Sequence, residues 1–491
     1  MRWKFFIYIV LTHFISVSFI HRIEAQNGYA IDISIPNLPE SELILGHRFN
    51  DALLPDDTIK LNQKGFGTFK GEQKLPGGMY FIYLPNQSLF DILLDKDQVF
   101  YIQTDTTEFL AKTTFKGSAL NENFYEYQRF LTEKRQKAMQ LQQSLNAAES
   151  AKKTTIQEEL DNLTAEVNKE MDRFVAENKE NFLSRFILAT REVNVPEPPK
   201  NEKGVVTDSM FRYKYYRSHY FDNFNPADPR LLRTPFYKNK IITYLDKVIP
   251  QIPDTLIKEV DWLIKKSRAN EELFRFMLVE LFNKYAQSQI MGMDKVFIHI
   301  AENYYIPEAE WSDREFIVNL QEEVKKQKPL LIGNKSPDID LIIVPEDHFM
   351  MAADDPELKK NVYVGGEMHL YDVNADYTIL AFWEADCGHC KKVIPKLYKI
   401  VQDMDEYHIE VVAVHMLGGE EGKVKWVDFI NEHGIYQWNN TWNPYSYQYK
   451  IDYAIKSSPV IFVLNENKEI IAKKLSPEQV KEIITFHARK N

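Results

Sequence analysis

The chain has 491 residues but only two cysteines, Cys387 and Cys390, set as C-G-H-C within TILAFWEADCGHCKKVIPKL (378–397). Two thiols at this spacing can close on each other, share a metal with further ligands, or trade disulfides with another molecule. A bridge across so short a loop gains least in the chain-entropy view, so stapling explains the pair poorly. Zinc needs two more ligands, and neither a second C-x-x-C nor a close His pair supplies them. Haem attachment needs His directly after the second cysteine, where Lys391 stands. Redox exchange is the chemistry left, with no cofactor and no metal called for.

The neighbouring elements suit that chemistry. Tyr377 to Trp383 (YTILAFW) is a continuous apolar run, as in a buried parallel strand, and Lys391 to Val401 carries helical apolar spacing. Cys387 therefore falls at a strand-to-helix turn, where first-turn N–H groups and the helix dipole favour an anion. A protonated His389 adds to that, and Gly388 allows a tight turn. Cys387 is the expected nucleophile; Cys390, one helical turn on, is expected to resolve the mixed disulfide.

With these residues in place, F-W-x-x-x-C-G-H-C-K-K-x-x-P (382–395) resembles the thioredoxin fold. The likeness is to the extracytoplasmic TlpA/ResA-like thiol-disulfide oxidoreductases, and C-G-H-C is similar to the tetrapeptide of protein disulfide isomerases. Pro395 matches the family's helix-kinking proline. Ser457-Ser458-Pro459-Val460 before IFVLNENKEII resembles the family's cis-proline loop and hairpin. The resemblance implies that Pro459 lies against the active-site sulfurs, that Ser458 pairs with substrate backbone, and that Trp383 is a further substrate contact.

The departures bear on mechanism. Asp386 replaces the usual Trp before the first cysteine, and a neighbouring carboxylate opposes thiolate formation. The family's buried acid six residues before the first cysteine is replaced by Ala381, and the alternative acid three after the second by Val393. Glu384 is the one nearby substitute as proton relay.

The resemblance covers residues 329–491, where strands and helices alternate and predict a mostly parallel α/β sheet. SPDIDLII (336–343) reads as its first strand, HIEVVAVH (408–415) as a central one, and the polar stretch 345–366 as an insertion. YQWNNTWNPYSYQYKIDY (436–453) reads equally as sheet-edge packing or as a wall of the substrate groove. Residues 26–118 show short alternating runs between turn clusters, an antiparallel β module. Through Asp57 with Gly67 and Phe69, Gly78 with Tyr80, and Gly117-Ser118 with Asn121, it resembles the β domain found ahead of thioredoxin-like domains in multidomain Bacteroidota proteins. Residues 119–328 read as mostly α-helical and open with a long charged stretch free of Gly and Pro, predicting a helical hairpin.

Residues 1–25 read as a signal peptide: Arg2 and Lys4, an apolar run from Phe5 to Ile20, and Ile23-Glu24-Ala25 before Gln26. No cysteine follows the run, so no lipoprotein is expected, and no membrane span after cleavage. Localisation is expected to be periplasmic or secreted. A net charge of −11 gives no broad attraction to nucleic acid. Two readings follow. The first is an enzyme exchanging disulfides with protein thiols and with a redox partner protein; the second is a binding or scaffold protein with a vestigial redox pair.

Overall fold

The computed structural model describes residues 28–362 and 365–489. The expected signal peptide lies outside the described residues. The chain forms two compact units that divide between Val248 and Ile249.

The first unit begins with eight strands, β1 (Tyr29–Ser34), β2 (Glu42–Phe49), β3 (Ala52–Lys60), β4 (Phe66–Gly71), β5 (Gly78–Tyr83), β6 (Leu89–Leu94), β7 (Val99–Gln103) and β8 (Thr114–Lys116). They form two four-stranded sheets, ordered β4-β1-β7-β8 and β3-β2-β5-β6. All the pairings are antiparallel except β1 with β7. Helices Ala119–Ala147 and Ser150–Glu177 then make the predicted hairpin, the first capped by the Ser118 hydroxyl accepting from the Asn121 N–H. Buried side chains gather at its base, with Phe124, Tyr125 and Tyr127 on one helix and Phe174 on the other.

The second unit opens with helices Pro253–Ser267, Glu271–Ala286, Asp294–Ile300 and Arg314–Gln327. A seven-stranded sheet follows: β9 (Asp340–Ile343), β10 (Glu367–His369), β11 (Tyr377–Trp383), β12 (Ile409–His415), β13 (Asn439–Trp442), β14 (Val460–Asn465) and β15 (Ile470–Lys473), in the order β10-β9-β13-β12-β11-β14-β15. The sheet is mixed rather than mostly parallel. Only β11–β12 and β12–β13 run parallel; β9, β10, β14 and β15 pair antiparallel. The physical reason is connection length: β14 and β15 are joined by a short turn, which only an antiparallel hairpin can use, while the parallel pairs are bridged by helices.

Every residue of β11 is buried. Ile379, Ala381 and Trp383 face one core and Leu380 and Phe382 the other, as the two-residue side-chain period requires. Burying each large aliphatic side chain contributes roughly 1.5–3 kcal/mol, so this strand is a rigid base for the turn that follows it. Helix Gly419–His433 crosses over after β12, and helix Pro477–Ala488 closes the fold behind a Ser476–Gln479 capping box. The stretch 345–366 holds two short helices, Glu346–Ala352 and Pro356–Lys360. Among the described residues no helix is long and apolar enough to cross a membrane.

Candidate active site

Where β11 ends, the chain turns through Glu384–His389 into helix Cys390–Gln402. The Cys387 N–H donates to the Glu384 carbonyl at 3.2 Å, and the Lys391 N–H donates to the Cys387 carbonyl at 3.1 Å, which tightens the turn against the first helical turn. Pro395 lies inside this helix and removes one of its backbone donors.

The two sulfurs, unbridged here, sit in different surroundings. Cys387 is half-buried and Cys390 has no solvent exposure. Burial alone raises the Cys387 thiol pKa. The Cys390 backbone N–H, 3.4 Å from Sγ, acts the other way together with the Ser458 hydroxyl and the His389 amide, and the net shift is downward. In its thiol form Cys387 Sγ–H donates to the Ser458 carbonyl at 3.5 Å. Burial pushes the Cys390 thiol up to about 12, with the neighbouring Cys387 adding to the rise and the Glu384 amide opposing it. One thiol is thus prepared to ionise and the other to keep its proton.

The Ser458–Pro459 peptide bond is cis. The loop reaches the turn through Ser458, whose hydroxyl donates to the Glu384 carboxylate at 3.3 Å. Ser458, Pro459 and Glu384 are all half-buried, and Ser458 and Glu384 both meet Cys387 through their carbonyls. His389 is exposed and occupies the helix N-cap position, and its contribution to the sulfur is its backbone amide. Asp386 is paired with Lys425 at 3.4 Å, a cation that offsets the carboxylate beside the nucleophile.

A family model described as thioredoxin-like matches residues 374–470. The C-terminal part of the chain is a thioredoxin-like domain. A second family model, a domain of unknown function (DUF5106), matches residues 142–326. Solved structures similar to the chain include a domain of a possible thiol-disulfide isomerase from Cytophaga hutchinsonii, 31% identical, covering 33% of this chain and 96% of that one with a TM-score of 0.26. A thioredoxin-like protein from Bacteroides caccae is 18% identical, covering 60% of this chain and 99% of that one with a TM-score of 0.42. The thioredoxin domain of a thiol-disulfide oxidoreductase from Bacteroides vulgatus is 22% identical, covering 32% and 96% with a TM-score of 0.26. No curated protein matches the chain.

One site expectation fails within this thioredoxin-like domain. Trp383 is 1% exposed, packed against Phe429 at 4.8 Å and edge-on to His415 at 5.3 Å, so it supports the turn from the core and cannot touch a substrate. The aromatic stretch 436–453 divides: Trp438, Trp442, Tyr449 and Tyr453 are buried, whereas Tyr445 and Tyr447 are exposed.

Sequence reasoning missed His415. It ends β12 with its ring stacked on Trp426 at 4.8 Å, and its Nε2 accepts from the Ala385 N–H at 3.3 Å, inside the active-site turn. Complete burial pushes its pKa down to about 3, so the imidazole is neutral and acts as a fixed acceptor. A lone polar residue closing an apolar run, IEVVAVH, was the available signal.

Proposed function

We propose that this chain is an extracytoplasmic thiol-disulfide oxidoreductase that exchanges disulfides with protein substrates through Cys387 and Cys390. The observation that carries this reading is the asymmetry of the two sulfurs: Cys387 is partly accessible with amide donors around it, and Cys390 is buried and held protonated.

In the reducing direction the Cys387 thiolate attacks one sulfur of a substrate disulfide. A new S–S bond forms, the old one breaks, and the first substrate sulfur leaves as a thiolate that takes up a proton. Cys390 then loses its proton and attacks Cys387 Sγ, releasing the second substrate thiol. Two electrons pass to the substrate and the protein is left with a Cys387–Cys390 disulfide, which a partner redox protein resets. The oxidising direction is the reverse. Glu384 is assigned the relay of the Cys390 proton, supported by its amide beside that sulfur and by its carboxylate on Ser458. Ser458 and Pro459 are assigned to substrate backbone, and His389 to the thiolate through its place at the helix N-terminus.

Reduction of insulin by dithiothreitol, with and without the protein, tests the activity. A rate no higher than background would favour the scaffold reading. Trapping tests the roles: Cys390→Ser should hold substrates as mixed disulfides on Cys387, and Cys387→Ser should hold almost none. The reduction potential of the couple assigns the direction, since a value near about −270 mV marks a donor and one near about −120 mV an oxidant.

A further inference from the structure

A cleft of about 590 Å³ opens beside the active-site turn, within the second unit. His389 and Pro459 line it next to the active-site turn, and Lys474, directly after the end of β15, lines it too. A further wall is Asp294, Glu323 and Gln327. These three come from helices that precede the sheet, outside the 374–470 segment matched as thioredoxin-like.

This wall is fastened in place. The Lys473 ammonium donates to the Asp294 carboxylate and, at 2.5 Å, to the Leu330 carbonyl, and it is only 9% exposed. Lys456, three residues before Pro459, pairs with Glu323 at 2.7 Å, and Gln327 donates to the same carboxylate. Burial lifts the Glu323 pKa, but Lys456 and Gln327 more than reverse this and keep it ionised. The lining cations are therefore spent on lining acids, with one exception: Lys474 is exposed and makes no ion pair with a described residue.

We infer that this cleft holds an extended stretch of the substrate chain next to its reactive cysteine, and that Lys474 selects stretches bearing a carboxylate there. The inference rests on the exchange reading above. A disulfide that reaches Cys387 past Pro459 must lay its flanking chain beside that proline, where the cleft begins. The volume lies in the range of about 300–1,000 Å³ usual for small-ligand sites, which admits a few residues of extended chain and no folded body. Glu323 and Gln327 are then specificity residues supplied from outside the thioredoxin-like domain.

The test uses the full-length reduced protein and short peptides whose single cysteine is disulfide-linked to 5-thio-2-nitrobenzoate. Attack by Cys387 forms the protein–peptide disulfide and releases coloured thionitrobenzoate, so the rate is read directly. Two peptides differ only in carrying Glu or Lys two residues from the cysteine. The wild-type chain should favour the Glu peptide by about fivefold, the scale of one exposed charge pair at close range. Lys474→Glu should invert that ratio. Gln327→Trp, which fills the cleft, should slow both peptides relative to the small neutral hydroxyethyl disulfide measured on the same variant. That normalisation removes any general loss from misfolding. An unchanged Glu-to-Lys ratio in Lys474→Glu, with a wild-type chain active on all three disulfides, would overturn the cleft alone. A wild-type chain inert toward all three would overturn the exchange reading, and the cleft with it.

Discussion

On the cis-proline flank of Cys387 the ion pairs span long stretches of chain: Lys456 with Glu323 is 133 residues apart and Lys473 with Asp294 is 179. On the Asp386 flank the pairing reaches less far, 39 residues at most. Lys425 meets Glu421 one helical turn away at 2.6 Å and Asp386 at 3.4 Å, all at the surface. Lys473 and Asp294 are largely withdrawn from water, with side chains 10% and 22% exposed. One flank is a structural joint, and the other is a charge adjustment that can be removed without loosening anything.

Breaking the joint should give the largest effect. Asp294→Ala leaves the Lys473 ammonium buried with only a carbonyl partner, and removing one member of a buried pair costs about 3–5 kcal/mol. Denaturant unfolding followed by tryptophan fluorescence suits the measurement, because every described tryptophan (Trp262, Trp311, Trp383, Trp426, Trp438 and Trp442) lies in the second unit. Lys473→Met in the same background should recover much of the loss. A loss below about 1 kcal/mol, the value of exposed pairs, would show that the pair is solvated and the wall free to move.

This joint was not legible in the sequence, and the reason is physical. Asp294 and Glu323 sit on amphipathic helices where an acid reads as solvated, and nothing local says that a lysine far along the chain will meet it. The strand-turn-helix around Cys387 was legible because its signals are local: an apolar run, a glycine, then helical spacing. Trp383 shows the converse. A run apolar on both faces already implied a buried strand, and the family motif drew a core residue into the substrate list. β9, the central strands β11 and β12, and the β14–β15 hairpin were readable, whereas β10 and β13 are only three and four residues long, too short for alternation to declare them.

The second effect in size tests the contrast between the sulfurs. Below the ordinary thiol pKa of about 8.5 Cys390 is protonated both folded and unfolded. Between that value and about 12 only the folded protein keeps the proton, so the folded state binds more protons and stability falls as pH rises. The slope should reach no more than about 1.4 kcal/mol per pH unit. Cys390→Ala, compared with wild type from pH 8 to 10.5 in reductant, should remove that slope. Parallel curves would mean that the sulfur is hydrated.

His415 gives the acid counterpart. Its folded pKa, near 3, lies below the ordinary value of about 6.5, so as pH falls between them the unfolded chain binds a proton that the folded one refuses. Stability should be fully present above about 6.5 and decline toward pH 4 with the same limiting slope. Carboxylates also contribute in this range, which makes the difference from His415→Gln the quantity to follow. The glutamine can still accept from Ala385, so the turn survives while the titration is lost. A His415→Gln chain with an unchanged acid slope would place the acid sensitivity elsewhere.

The smallest effect belongs to the surface flank. Lys425→Ala leaves the Asp386 carboxylate without its cation one residue from Cys387, and an unscreened negative charge there raises the energy of the thiolate. Both side chains are exposed and the separation is already 3.4 Å, so water and salt do most of the screening. Alkylation of Cys387 by iodoacetamide at neutral pH should slow by less than about fivefold, with the melting transition unmoved. The slowing should shrink further between 0.01 M and 0.5 M salt as the Debye length contracts from about 30 Å to a few ångströms. A larger loss that ignores salt would mean that Lys425 holds the turn mechanically, making this flank a joint like the other. If Asp386→Asn in the Lys425→Ala background restores the wild-type rate, the effect is electrostatic and the contrast between the flanks stands.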